Sequence, residues 1–372
     1  MKPSSIAHIQ VIPKLSGAQL FSLEILKNTN INERYIICSS SEITDKNQKN
    51  EFIRQFENIG VKIIWVKYLK RNIGMHDILA FWELYSICKK YKFDIVHTNS
   101  TKPGFIARIS ARIAGIKKII HTVHGISFHR NCTLIVRLFF YMIEIISLQF
   151  GHYNITVNKY YLKYYRICPW KKSYSIYNGV DFKKLNTSES KPKDLNTFKI
   201  LFVGRLDKQK DPLSLIHAVS LCYKKYKNIS LDIIGDGYLF KECIELIKEL
   251  NLTDIINIRG WCNTPSIYYK SSDIFISPSI FEAFGFTLTE AAYYKLPIIA
   301  TNVEGIPEVV KDKKMGFLVN PRDINEIAEK IIYFIENPKI LKEMGEYGHY
   351  YVTNNFPIAK MVRKYNMLYR KD

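Results

Sequence analysis

Short runs rich in β-branched and aromatic residues alternate with amphipathic stretches of helical length, and the alternation occurs twice along the chain. The first series predicts strands at 6–12, 35–39, 61–66, 95–98 and 118–122, with helices at 18–28, 49–59, 76–90 and 105–115 between them. Parallel strands need a crossover of about a dozen residues, which a helix fills, so this rhythm predicts an open, mostly parallel sheet covered by helices. The rhythm lapses over 183–196, a stretch of Lys, Ser, Asn, Asp and Pro with few large apolar side chains, which reads as a linker. It then restarts, with strands at 198–203, 230–234, 255–259, 274–277 and 297–301 and helices at 212–226, 239–250, 287–295 and 324–336. The expectation is two α/β units in tandem, and 372 residues are enough for two separate cores. In such sheets ligands collect outside the carboxyl ends of the strands.

The formal charge of +20 is uneven: residues 1–190 hold 28 Lys+Arg against 12 Asp+Glu, while 191–372 hold 26 against 22. A basic first half suits an anionic membrane surface, a phosphorylated ligand or nucleic acid, or is simply solvated. Helix-turn-helix signatures, zinc-finger spacings and aromatic RNP boxes are all missing, which argues against nucleic acid. The seven cysteines are scattered, odd in number and without a Cys-x-x-Cys pair, so neither a disulfide framework nor a structural zinc site is expected. Residues 1–11 have no long apolar core, so no signal peptide is expected. The most membrane-like stretch, 134–150, is interrupted by Arg137 and Glu144. It is too short and too charged to span a bilayer. It is expected to be a largely buried helix, with an interfacial helix as the sharper alternative.

Four motifs carry chemistry. In Gly204-Arg205-Leu206 and the following Lys210, two cations sit where a buried strand gives way to a loop. A guanidinium fork and an ammonium point charge there suit a diphosphate, and the bland alternative is two solvated loop cations. Glu282 and Glu290 flank the start of a predicted helix, with Gly285 just before it, so the N–H groups of 284–287 would face an anion and the carboxylates would grip hydroxyls. For Glu290 alone, favourable placement in the helix dipole is a sufficient explanation. His121 is read as embedded in its strand, whereas His124, before Gly125, stands at the strand end. Ser16-Gly17-Ala18-Gln19 is a glycine turn opening a helix, and Gly235-Asp236-Gly237 is a second turn. Neither Gly-x-Gly-x-x-Gly nor a Walker loop is present, which disfavours NAD-dependent and P-loop enzymes.

In order and spacing these motifs, with Tyr177-Asn-Gly-Val-Asp181 and Thr301-Asn-Val-Glu-Gly-Ile-Pro-Glu308, resemble family 4 of the retaining glycosyltransferases with the GT-B fold. The resemblance implies an α/β fold of two Rossmann-like domains facing a central cleft. It implies an acceptor-binding domain at 1–182, a linker at 183–197, a nucleotide-sugar-binding domain at 198–356 and a helix at 357–372 crossing back to the first domain. The roles it implies are specific. Arg205 and Lys210 would bind the donor diphosphate and stabilise the leaving group, so no metal and no other cofactor is expected. Glu282 would hold the transferred sugar, Glu290 the ribose, and Phe284, Gly285, Phe286 and Thr287 would offer backbone N–H groups. Arg259 and Trp261 would lie by the nucleobase, Gly17 would approach the phosphates, and His124 would contact the sugar near the reacting carbon. Ser16 and Gln19 depart from the commonest residues of the family at those places.

Asn99-Ser-Thr-Lys102-Pro-Gly104 followed by His121-Thr-Val-His-Gly-Ile-Ser-Phe128 further resembles bacterial enzymes that extend polyprenyl-diphosphate-linked sugars for capsule, O-antigen or protein glycans. Lys102 and Asn99 would then be acceptor contacts. The donor would be a UDP-linked hexose or N-acetylhexosamine, and the protein would sit peripherally on the inner face of the plasma membrane, against anionic lipid. Two other classes stay open: an epimerase-like enzyme acting on a sugar nucleotide with the same fold, and a non-catalytic nucleotide-sugar binding protein.

Overall fold

The computed structural model describes residues 3–42, 45–129, 132–185, 196–262 and 264–371. The chain divides into two compact units, residues 1–179 with 358–372, and residues 180–357. Much of the expected linker, 186–195, lies outside the described residues.

Unit 1 runs β1 (Ser5–Ile9), α1 (Gly17–Lys27), β2 (Glu33–Ser39), α2 (Lys46–Glu57), β3 (Lys62–Val66), α3 (His76–Tyr91), β4 (Ile95–Asn99), α4 (Thr101–Ile113), β5 (Lys118–Val123), α5 (Leu134–Leu148), β6 (Tyr153–Thr156) and β7 (Lys172–Ser175). The strands form one parallel sheet in the order β3-β2-β1-β4-β5-β6-β7. Alternate strand residues feed two cores, as the two-residue period requires. Ile6, Ile36, Ile95 and Ile120 pack with Phe21 of α1 and with Phe52 and Phe56 of α2. Ala7, Ile37, Val96 and Ile119 pack with Leu84 of α3 and Ala107 of α4. Asp45 starts α2 by accepting from the N–H groups of Asn47 and Gln48.

Unit 2 begins with the short helix α6 (Phe182–Leu185), where the sequence suggested only linker. It continues β8 (Phe198–Val203), α7 (Pro212–Lys225), β9 (Ile229–Ile234), α8 (Phe240–Glu249), β10 (Ile256–Gly260), α9 (Ser266–Ser271), β11 (Ile274–Ser277), α10 (Phe286–Tyr293), β12 (Ile298–Thr301), α11 (Ile306–Val309), β13 (Gly316–Val319), α12 (Ile324–Glu336) and α13 (Pro338–Asn355). Its sheet is also parallel, in the order β10-β9-β8-β11-β12-β13. The principal core joins α7, α8 and α12 to the strands through Leu215, Val219, Cys243, Ile331 and Phe334. A final helix, α14 (Ile358–Arg370), belongs to unit 1, where Met361, Tyr365, Leu368 and Tyr369 enter the core beside α1.

The helix at 134–148 corrects the sequence reading. α5 is not largely buried: Glu144, Ser147 and Leu148 face inward, while Leu134, Ile135, Leu138, Phe139, Met142 and Ile146 are exposed. The cause lies on α4. Arg108 is fully buried and donates to Glu144 Oε1 at 2.8 Å and to Ser147 Oγ at 2.6 Å. Pairing and hydrogen bonding make a buried charge tolerable, so the polar side of α5 turns inward to meet Arg108 and its apolar side is left outside.

Candidate active site

The candidate residues of unit 2 stand on loops at the carboxyl ends of β8, β9 and β11. β8 ends at Val203, and the loops after β8 and β9 then touch backbone to backbone: Leu206 N–H donates to Asp236 O at 3.0 Å and Gly204 N–H to Ile234 O at 2.9 Å. A Cβ at Gly235 would lie 1.8 Å from Gly204 O, and φ there is +148°. Only glycine fits that approach, which gives the Gly235-Asp-Gly237 turn its physical reason.

The loop after β8 presents Arg205 and Lys210. Arg205 pairs with Asp207 at 3.0 Å and donates to Gln209 Oε1 at 2.8 Å, with its head in solvent. Lys210, mostly covered, forms an ion pair and hydrogen bond with Glu282. Gln209 links the loops by donating to Phe281 O at 3.0 Å, while Ile280 N–H donates to Gln209 O at 2.8 Å. Thus Lys210 and Glu282, 72 residues apart, share one place.

Gly285 caps α10 with φ +79°, and the first N–H groups of that helix have no intrahelical acceptor. Phe284 is buried against Phe286 and Phe356, so its part is packing as well as backbone. Thr287 lies in the first turn of α10. Glu290, one turn further, accepts from Tyr269 O–H at 3.0 Å. Burial raises its carboxyl to about 7, opposed by the Tyr269 hydrogen bond. Trp261, at the end of β10, is highly exposed, but Arg259 is held on Asp232 at 2.8 Å. A nucleobase contact from Arg259 would have to compete with that pair.

In unit 1, Gly17 opens α1 directly after Ser16, whose hydroxyl bonds Gln19. His124 follows β5, its ring edge-on to Phe21 with centroids 4.8 Å apart. Its Nε2–H donates to Asn99 Oδ1 at 3.0 Å, leaving Nδ1 as an acceptor. Burial holds the ring down at about 3, so it is neutral at physiological pH. Asn99 itself is fully buried, and its bond to His124 orients the imidazole. Lys102 is on the first turn of α4, paired with Asp77 at 2.6 Å and bonded to Asn72 O. Gly104 is explained by His121, as a Cβ would meet that ring at 2.4 Å. His121 is embedded as expected, bonded to Thr98 Oγ1 at 2.9 Å.

Sequence reasoning missed a network beneath His124. His8 and His97 are register partners on β1 and β4. His8 meets Ser22 Oγ at 2.9 Å, and Tyr369 of α14 meets His8 at 3.1 Å and His97 at 2.6 Å. His97 meets Thr122 at 2.8 Å, and Thr122 meets Tyr365 at 3.0 Å. The available signal was a polar residue in the middle of each of two apolar runs. Tyr269 and Gln209 were missed too, having no motif of their own. Among the described residues no group of three His, Cys, Asp or Glu side chains is arranged to hold a metal ion.

Comparison with known proteins matches the chain to two family models: Glycosyltransferase Family 4 over residues 34–184, and Glycosyl transferases group 1 over residues 183–350. It is 32% identical to the UDP-Gal:alpha-D-GlcNAc-diphosphoundecaprenol alpha-1,3-galactosyltransferase of Escherichia coli, covering 98% of this chain and 96% of that one. It is 26% identical to the capsular polysaccharide biosynthesis glycosyltransferase CapM of Staphylococcus aureus, over 89% and 87% of the two chains. The crystal structure of Anabaena HepE in complex with UDP shares its fold, with a TM-score of 0.82 at 18% identity and 98% and 99% coverage. Two parallel-sheet Rossmann-like units, both family models and a full-length relative at this identity agree, and the chain belongs to the GT-B glycosyltransferases of family 4.

Proposed function

We propose that this glycosyltransferase moves a hexosyl or N-acetylhexosaminyl group, with retention, from a UDP-linked donor to a polyprenyl-diphosphate-linked saccharide in surface glycan synthesis. The observation that carries the reading is the pairing of Lys210 with Glu282 beside the α10 N-terminus and Arg205, which gathers a cation pair, a hydroxyl acceptor and free N–H groups. The lipid-linked acceptor is supported by the Escherichia coli relative, whose name gives a diphosphoundecaprenol substrate.

In this mechanism the anomeric C–O bond breaks with its electron pair on the departing diphosphate. Arg205 and Lys210 face the charge that develops there, and the N–H groups of residues 284–287 add fixed dipoles. The acceptor hydroxyl oxygen bonds the anomeric carbon on the face being vacated, and its proton passes to the leaving phosphate oxygen. Glu282 releases Lys210 to the diphosphate and takes a sugar hydroxyl. Glu290 accepts from the ribose, Gly17 gives the phosphates close backbone approach, and His124 offers Nδ1 to a sugar hydroxyl. Lys102 exchanges Asp77 for the acceptor diphosphate. With two cations on the leaving group the reaction runs without a metal, so activity is expected to survive a chelator.

The test is a panel of UDP- and GDP-sugars offered with short polyprenyl-diphosphate-sugar acceptors and read by mass. Addition of one sugar from a UDP donor is expected. An isomerised nucleotide sugar formed without acceptor would establish the epimerase reading instead, and binding without turnover would leave a binding protein.

A further inference from the structure

We propose that the Tyr369 hydroxyl is a positioning group for the glycine turn at Gly17, acting through His8, Ser22 and Gln10. This rests on the reading in which Gly17 gives the donor phosphates close backbone approach.

The turn is held from beneath by one amide. Gln10 follows β1 and is buried. Its Nε2 donates to Ala18 O at 2.8 Å, directly after Gly17, and also to Ser22 Oγ on the next turn of α1. The opposite amide orientation would set Oε1 against the Ala18 carbonyl, two acceptors with no proton between them. Both amide protons are therefore committed, and Ser22 accepts from Gln10.

From there the protons follow one direction to the last helix. Ser22 has one O–H, and it goes to His8 Nδ1 at 2.9 Å. Burial keeps the imidazoles of His8 and His97 neutral, so each ring has one donor and one acceptor nitrogen. With Nδ1 accepting, His8 donates from Nε2 to Tyr369 Oη at 3.1 Å. Tyr369 gives its own O–H to His97 Nδ1 at 2.6 Å, and the shorter contact is the one expected of a hydroxyl donor. His97 donates from Nε2 to Thr122 Oγ1 at 2.8 Å, and the run ends where Thr122 meets Tyr365 Oη at 3.0 Å.

Tyr369 is the link to α14, because it bonds both histidines, register partners on β1 and β4. Its backbone is anchored separately: Lys118 Nζ donates to Tyr369 O at 2.9 Å, while Met361, Tyr365 and Leu368 pack in the core beside α1. Removing the hydroxyl leaves α14 seated and takes away the bonds that orient His8 and His97. The first turns of α1 also carry Phe21, edge-on to His124 with centroids 4.8 Å apart. A shift at Ser22 therefore reaches the imidazole as well as Gly17. Small misplacements of this kind are felt in the rate, because reacting groups must be held in a near-attack geometry.

The experiment is steady-state kinetics of the full chain, with a UDP-sugar and a short polyprenyl-diphosphate-sugar acceptor, for Tyr369→Phe, Ser22→Ala and the two together. Each single variant should lower kcat about tenfold. UDP affinity, which the proposed function assigns to unit 2, should stay at the wild-type level and so report an intact fold. The double variant should also lose about tenfold rather than about a hundredfold, because the second deletion acts on a run already broken. Tyr365→Phe, beyond His97, should keep kcat within about twofold, which a general penalty for losing a buried hydroxyl would not. Wild-type kcat in Tyr369→Phe, or losses that multiply in the double variant, overturns the proposal. Ser22→Ala is a favourable change within a helix, so if Tyr369→Phe does not fold, wild-type kcat in Ser22→Ala overturns it instead. Amide exchange needs no turnover: residues 20–22 should exchange about tenfold faster in Tyr369→Phe while β8 is unchanged. Unchanged exchange at 20–22 also overturns the proposal. A wild-type chain that transfers no sugar, with exchange at 20–22 still responding to Tyr369→Phe, would remove the proposed function and leave Tyr369 as the group that sets the turn.

Discussion

Unit 1 contains 31 Lys+Arg against 11 Asp+Glu, whereas unit 2 contains 23 of each, so the formal charge of +20 lies wholly on unit 1. The interiors differ as well. Unit 1 buries His8, His97, His121, Arg108 and Glu144 among its strands and helices. The principal core of unit 2 is apolar, and its polar chemistry stands on the loops after β8 and β11. Both are parallel sheets of the same design, so topology does not cause the contrast. In the proposed function it reflects two tasks: unit 2 would present charges at strand ends to one small ligand, while unit 1 uses buried polar networks to fix a histidine above and an exposed helix at its side.

The largest effect that would break this comparison is at the buried ion pair. Glu144→Ala leaves Arg108 charged and unpaired in unit 1, and is expected to cost about 3–5 kcal/mol in chemical denaturation. A cost under about 1 kcal/mol would mean that the pair does not organise α5.

A second prediction separates the units by pH. Burial, then the neighbouring His124, hold His8 at about 3 in the folded state against 6.5 ordinarily. An imidazole depressed in this way takes up a proton on unfolding, so its contribution is complete above about pH 6.5 and is lost as the pH falls toward 3. Between pH 6.5 and 5 this amounts to about 2 kcal/mol for His8 alone. Glu290 has the opposite sign: raised to about 7, it favours the folded state at low pH and loses that contribution as the pH rises through 7. Hydrogen exchange at pH 5 and 7.5, corrected for intrinsic rates, should therefore show β1 and β4 losing protection in acid relative to β8 and β11. Equal loss in both sheets would remove the distinction.

The smallest effect sharpens the unit 2 side. With Glu290 the ribose acceptor, its ionised form binds better, so donor affinity should rise a few-fold as the pH passes through about 7. In Glu290→Gln that dependence should flatten; a persisting step would place the titrating group elsewhere.

The legibility of the two units follows the same contrast. Strand and helix rhythm was readable over most of the chain, because burial imposes its period on the sequence, but β6, β7, β13 and α13 were not anticipated. Arg205, Lys210, Glu282 and Gly285 were readable because loop chemistry is local, although the joining of Lys210 to Glu282 across 72 residues needed the fold. The network under His124 was not readable. It joins His8 on β1, His97 on β4 and Tyr369 on α14, and nothing local to any of them reveals that the strands are neighbours. Nor was the exposure of α5, since hydropathy reports an apolar side without saying what covers it. Its orientation is decided by Arg108, on another helix. The bond from His124 to Asn99 was hidden for a related reason: a polar residue at a strand end is equally suited to ligand or neighbour.

The most direct measurement is calorimetric titration of UDP into the full chain and into Arg205→Ala, Lys210→Ala and His124→Ala. Each lost cation removes charge-assisted hydrogen bonds of about 1.5–3 kcal/mol, so both unit 2 variants should bind UDP at least about tenfold more weakly. His124→Ala, in unit 1, should bind it as the wild type does. Unchanged affinity in Lys210→Ala and Arg205→Ala, or an equal loss in His124→Ala, would contradict the assignment of the nucleotide diphosphate to unit 2.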